Sequence, residues 1–233
     1  MKQKQWIAFL GMVAVALILG ACGGDSSTGG VGGGGSDGTL TDARDGQIYK
    51  TVVIGTQMWM AENLNYAVDS SWCYNNSADS CAKYGRLYQW ASAMGLSATY
   101  NSTAASGVIS TPQQGVCPVG WHIPTDAEWT ILENAVGGYR TAGTVLKSTS
   151  GWSSNGNGTD TYGFSALPAG SRNDYGFDEV GDFEGFWNAT ENDTEDGTED
   201  AYYRGLRYDD TDLYPGNSRK LIAFSVRCLK DAE

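Results

Sequence analysis

Residues 6–19 form an almost unbroken apolar run, led by Lys2 and Lys4 and closed by Leu19-Gly20-Ala21-Cys22. The run suits the apolar core of a signal segment and is short for a membrane span. Residues 23–38 (GGDSSTGGVGGGGSDG) carry no apolar period and read as a flexible tether. Periodicity begins near Leu40. Residues 47–54 (QIYKTVVI) are strand-like, Gly55-Thr56 makes a turn, and residues 57–60 (QMWM) return, which predicts a hairpin. Residues 84–94 place Leu87, Trp90, Ala91 and Met94 on one helical face, which predicts a helix. A second helix starts at Thr125, where Pro124 precedes and Glu128 follows three residues later as a capping box. Trp129, Leu132, Ala135 and Val136 are its apolar face, and Gly137-Gly138 ends it. Beyond Gly151 the strand candidates are residues 164–167, 185–190, 201–208 and 220–229, separated by loops rich in Gly, Asn and Asp. The pattern predicts an α+β domain, with two helices early and an antiparallel sheet with long loops after them.

The N-terminal pattern has a chemical reading. An apolar residue, two small residues and a cysteine resemble a bacterial lipobox, with residues 1–21 removed and Cys22 lipidated. A plain signal peptide would leave Cys22 as an odd thiol. Stable anchoring takes more than one acyl chain, each buried methylene contributing about 0.8 kcal/mol. The expected partner at this end is therefore a membrane, reached through the lipid. Gly23 rather than Asp after the cysteine fits sorting to the outer membrane of the cell envelope. Residues 22–39 then form a spacer, whose sixteen tether residues reach roughly 20–24 Å on average.

Composition narrows the partners of the domain at residues 40–233. The net charge is −12, and the mature chain, without Lys2 and Lys4, stands near −14. Such a surface argues against nucleic acid as a partner. Thirty-two glycines, eight tryptophans and thirteen tyrosines point to large rings packed around tight turns. Apart from Cys22, four cysteines remain, Cys73, Cys81, Cys117 and Cys228, which outside the cytoplasm suggests two disulfides with three pairings. A Cys73–Cys81 clip is the easiest closure and leaves Cys117 with Cys228. No CxxC is present and His122 is the only histidine, so a zinc site has little support.

Four segments carry a family resemblance: residues 45–52 with 57–64 (DGQIYKTV, QMWMAENL), residues 84–90 (YGRLYQW), residues 117–129 (CPVGWHIPTDAEW) and residues 224–231 (FSVRCLKD). Together they resemble the Fibrobacter succinogenes major paralogous domain family over roughly residues 42–231. The resemblance implies a branch of the C-type-lectin-like superfamily, beside the formylglycine-generating-enzyme-like folds. It implies two helices flanking an irregular antiparallel sheet, chain ends close together, and a long bridge of the Cys117–Cys228 kind.

No constellation of residues defines a reaction. His122 lies between Trp121 and Ile123 with no evident nucleophile nearby and reads as structural. An oxidase of the formylglycine-generating type needs free cysteines, and two disulfides leave none for it. Twenty-seven acidic residues make a glycosidase-like pair easy to imagine and impossible to single out. Glu191, Asp193, Glu195, Asp196, Glu199 and Asp200 crowd one loop, and Asp209, Asp210 and Asp212 another; these read first as solvated loops, with no cofactor expected and calcium as the alternative they leave open. The aromatics of the C-terminal half supply the core and, in the loops, a stacking platform. The expectation is a non-catalytic binding domain for a glycan, a fibre surface or an envelope protein. Its contacts are sought at Trp187, Asn188, Glu191, Asp193, Tyr208 and Asp210. An enzyme of the formylglycine-generating or glycan-acting kind, and a structural envelope component without ligand, are the alternatives.

Overall fold

In the computed structural model the hairpin at residues 47–60 is formed as its pattern predicts. β1 (Ser36–Thr41), β2 (Ile48–Ile54) and β3 (Gln57–Met60) run antiparallel, and β2 meets β3 from Thr51↔Met60 to Ile54↔Gln57. The structure describes residues 36–192 and 198–232. The signal segment, Cys22, most of the tether, Asp193, Glu195 and Asp196 lie outside these residues. β1 starts inside the stretch read as tether. Its sequence is polar (SDGTLT), and only main-chain pairing with β2 reveals it as a strand.

Further elements follow in chain order: β4 (Ser71–Trp72), α1 (Ala78–Tyr84), β5 (Leu87–Gln89), α2 (Trp90–Ala93), β6 (Trp121–His122), α3 (Asp126–Ala135) and α4 (Tyr139–Leu146). The C-terminal part contributes β7 (Ser171–Asn173), β8 (Gly176–Asp178), β9 (Phe183–Glu191), β10 (Asp200–Arg207), β11 (Tyr214–Arg219), β12 (Ala223–Phe224) and β13 (Leu229–Lys230). They form three sheets, ordered β1-β2-β3-β13-β6, β11-β10-β9 and β4-β5-β12-β7-β8, every strand pair within them antiparallel. The first and last strands thus share one sheet, in a mixed α/β fold with curled antiparallel sheets.

The helix expected over residues 84–94 is replaced by β5 and the single turn of α2. Gly85, with φ +72, ends α1 in a backbone conformation that L side chains avoid. A Cβ there would also meet the Leu64 carbonyl oxygen at 2.8 Å. Residues 87–89 then pair with β4 and β12. Leu87, Trp90, Ala91 and Met94 are buried all the same, so the apolar spacing reported burial and not helix. Residues 164–167 make only an isolated bridge, Ala166 with Lys147, because Ser165 at φ +53 breaks the extended run. Residues 220–229 supply two short strands rather than one. α3 starts as expected, with both halves of the Thr125–Glu128 capping box made, whereas α4 follows Gly137-Gly138 where no helix was expected.

Two aromatic clusters fill the interior. One gathers Trp90, Trp187, Phe224 and the Cys117–Cys228 bridge; the other gathers Trp59, Trp129, Phe164 and Phe186. In the second, Trp59 and Trp129 centroids are 4.6 Å apart and Trp129 stacks on Phe186 at 5.3 Å. Each such ring contributes about 1.5–3 kcal/mol by leaving water.

Both expected disulfides are present, Cys73–Cys81 and Cys117–Cys228, closing separations of 8 and 111 residues. In the chain-entropy model these restrict the unfolded chain by about 2.6 and about 4.8 kcal/mol. Replacing Cys117 and Cys228 together by serine is therefore expected to lower unfolding free energy by about 2 kcal/mol more than replacing Cys73 and Cys81. Denaturant melts of the two double variants measure the difference.

Candidate functional site

The expected contact residues divide by burial. Trp187 is fully buried, and its Nε1 donates to the Tyr88 carbonyl oxygen at 2.8 Å. Asn188 is fully buried, its Oδ1 accepting from Thr190 N at 2.9 Å. Glu191 accepts from Ala105 N and pairs with Lys220, itself wholly buried and also donating to Thr103 O and Thr198 O. These three hold the interior together and offer a ligand nothing, which corrects the expectation. The acidic, polar look of the segment hid that β9 is buried along nearly its whole length. Tyr208 is half-buried against the second aromatic cluster. Asp210 is exposed, but its Oδ1 accepts from Thr211 N and Asp212 N and its carbonyl from Lys147 Nζ. Asp193 lies outside the described residues.

His122 is buried, with Nδ1 donating to Asp231 Oδ1 at 2.7 Å and Nε2 donating to Glu128 Oε1 at 3.0 Å. Burial works against its charge, but the hydrogen bonds to Glu128 and Asp231 outweigh it and raise the pKa above the ordinary 6.5. Burial likewise opposes the Glu128 carboxylate, and bonds from His122 and Thr125 prevail and lower its pKa. With acceptors on both ring nitrogens the ring is a charged clasp between the C-terminal end and α3, the structural role read from the sequence.

A third buried group is Glu184, whose carboxyl accepts from Asn63 Nδ2 at 2.9 Å and Ala169 N at 2.7 Å. Burial pushes its pKa up to about 8, so it is mostly protonated at neutral pH. Asn63 Oδ1 in turn accepts from Arg227 Nε at 2.6 Å.

Among the described residues the C-terminal half carries an accessible basin of about 230 Å³. Its floor is aromatic: Phe183, Tyr203, Tyr214 and Phe224, with Tyr203 4.9 Å from Phe224 and 6.1 Å from Tyr214 between centroids. Its rim carries Asn173, Glu179, Arg207 and Ser218. Two cross-strand pairs build the floor, Tyr203 opposite Gly216 and Gly205 opposite Tyr214. A Cβ on Gly205 would sit 2.4 Å from Tyr214 Cζ, and one on Gly216 would sit 2.7 Å from Tyr203 Cζ. The rings can lie across the sheet only because the facing residues lack side chains. Burial pushes the Tyr214 hydroxyl pKa up, its neighbours being Tyr203 and Arg207. Arg207 reaches Glu179 and Asp209 at 3.6 Å each, on half-exposed side chains. Such loose pairs leave the guanidinium able to take a ligand oxygen.

Sequence reasoning included Phe183, Tyr203 and Tyr214 among the C-terminal aromatics but did not gather them into a site. The signal was legible: Tyr-x-Gly occurs at residues 203–205 and again at 214–216. Among the described residues no group of three or more His, Cys, Asp or Glu side chains is placed to hold a metal ion.

The basin thus joins a concave aromatic floor, continuous with the first core cluster, to a polar rim. The chain matches the Fibrobacter succinogenes major domain family over residues 52–230 and belongs to it. No curated protein and no solved structure matches it.

The histidine clasp has a defined pH signature. His122, with its pKa raised on folding, adds stability that is full below 6.5 and is lost as pH rises through the folded value. Glu128, with its pKa lowered, adds stability that is full above 4.5 and is lost as pH falls through its folded value. His122→Gln is therefore expected to cost about 1–2 kcal/mol near pH 5.5 and clearly less near pH 9, in melts taken across that range.

Proposed function

We propose that this chain is a lipoprotein of the bacterial envelope, anchored through Cys22, whose C-type-lectin-like domain binds a glycan in the aromatic basin. The lipobox-like Leu19-Gly20-Ala21-Cys22 and the glycine-rich tether support the anchoring and its orientation toward the outer membrane. Curled antiparallel sheets, four α-helices and the long Cys117–Cys228 bridge suit the superfamily. The observation that carries the reading is the basin itself. Tyrosine faces take the apolar face of a sugar ring with little loss of conformational entropy, and the rim of Asn173, Glu179, Arg207 and Ser218 supplies donors and acceptors for hydroxyls. A non-catalytic role is supported by the employment of the reactive groups in the fold. The four domain cysteines are in disulfides, the histidine is clasped on both sides, and Glu184 is sealed from solvent.

A glycan array, run with calcium and again with chelator, identifies the ligand and decides the calcium question. With that ligand, Arg207→Ala and Asn173→Ala are each expected to weaken binding about three- to tenfold while the melting temperature stays nearly constant. Unchanged affinity in both variants overturns the assignment to the basin. Capture of an envelope protein alone, with no glycan bound, overturns the choice of ligand.

Anchoring has a separate measurement. Cell fractionation of Cys22→Ala is expected to find the domain released into the soluble fraction, or an uncut precursor. A processed, membrane-retained variant defeats the lipid anchor.

A further inference from the structure

A second concavity, of about 400 Å³, shares no lining residue with the basin. It opens between the β2–β3 hairpin, α1 and the loops at residues 148–150 and 160–167. Arg227 lines it and is 1 % exposed. The guanidinium has five N–H donors. Nε donates to Asn63 Oδ1, Nη1 to the Met60 and Phe164 carbonyls, and Nη2 to the Ser165 carbonyl. All four acceptors are neutral, and one Nη2 hydrogen is left over.

A buried cation without a counter-ion is costly, so the surroundings of Arg227 matter. The nearest buried carboxyl, Glu184, is held one residue away, across Asn63, and its pKa of about 8 leaves it mostly uncharged at neutral pH. Burial pulls Arg227 down only to about 10, so it keeps its charge. The rings of Phe164 and Phe186, at 4.5 and 5.4 Å, attract that charge without neutralising it. Two carboxylates line the cleft, Asp160 and Glu62; both favour the Arg227 charge from a distance, and both make their closer bonds elsewhere. Asp160 accepts from Ser165 N and Oγ, and Glu62 accepts from Lys50 N and faces Lys50 Nζ at 3.8 Å. Lys83, also lining the cleft, has no carboxylate within ion-pair distance among the described residues and lies over the Tyr84 ring. In a chain of net charge −12 this hollow gathers three cations, Lys50, Lys83 and Arg227.

We infer that the cleft binds the carboxylate of an acidic sugar, a hexuronate unit, with Arg227 at the floor and Lys83 at the rim supplying the charge. The walls favour a sugar as the carrier of that carboxylate. The side chains of Asn65, Thr149 and Ser150 line the cleft and make no hydrogen bond among the described residues, and each can both donate and accept, as sugar hydroxyls require. Asp160 and Ser165, at φ +47 and +53, keep the opposite wall in place through their mutual hydrogen bonds.

The test titrates the full-length chain, in detergent, with trigalacturonate, with its fully methyl-esterified form and with triglutamate. The acid sugar is expected to bind, and esterification to weaken it at least about tenfold, because it removes the carboxylate charge. Lys83→Ala, on an exposed side chain, is expected to weaken binding of the acid sugar about three- to tenfold without moving the melting temperature. Arg227→Lys keeps the charge and loses the fork, and a folded variant is expected to bind more weakly than wild type. Equal binding of acid and ester, wild-type affinity in Lys83→Ala, or no binding of the acid sugar overturns the inference. Triglutamate binding as tightly as trigalacturonate overturns the sugar and makes the cleft a peptide site.

Discussion

The fold depends on bringing a guanidinium and a carboxyl into an interior rich in aromatic rings. Arg227 and Glu184 are both essentially without solvent, and Asn63 stands between them, its amide nitrogen donating to Glu184, the Tyr84 carbonyl and Ser225, and its oxygen accepting from Arg227. Arg227 also closes the Met60, Phe164 and Ser165 carbonyls, while Glu184 closes Ala169 N. These are main-chain groups at the end of β3 and in the irregular loops at residues 164–169. Where such a group is buried, leaving it unpaired would cost about 1–3 kcal/mol. The polar knot therefore does for the loop-rich centre what ladder hydrogen bonds do for a regular sheet. The same logic operates at Lys220, which gathers Glu191 from the end of β9 and Thr103 and Thr198 from two loops.

This explains which parts of the fold could be read from residues alone. The hairpin, α3 and the strands β9 and β10 carry local signals: a turn dipeptide, a capping box, a dense aromatic run. Both disulfides followed from counting and proximity. β1 has no apolar period, and its strand character comes only from the β2 backbone beside it. The stretch at residues 84–94 satisfied a helical period because its buried positions happen to share one face, while the conformation was decided by Gly85 against Leu64 and by pairing with β12. Tertiary contact overrode local preference in both cases.

The site was legible in part, for a related reason. Acidic and amide residues beside aromatics in a glycine-rich segment look like an exposed loop, yet Asn188 and Glu191 lie inside because buried polar groups here have partners far away in sequence: Trp90 for the Asn188 carbonyl, Lys220 for Glu191. Long-range partnership leaves no mark in a window of residues. The basin did leave one, since a tyrosine two positions before a glycine, repeated in neighbouring strands, lets each ring cover the other strand's gap. Arg227 left none. Its importance comes from what surrounds it, and those groups are drawn from residues 60 to 186.

The order of strands in the first sheet sets how the domain meets a pull from its N-terminal side. Load arriving there enters at β1, the outermost strand, whose only sheet neighbour is β2. Peeling an edge strand breaks its hydrogen bonds in succession and takes little force, so β1 yields first and lengthens the leash. Deeper unravelling then runs toward residue 117, where the covalent link to residue 228 stops it. The 111-residue span behind that link, which includes the aromatic floor, cannot be drawn out as an extended chain. The molecule is thus built with a soft leading edge and a hard stop, a fuse in series with a lock, and the aromatic basin lies behind the lock.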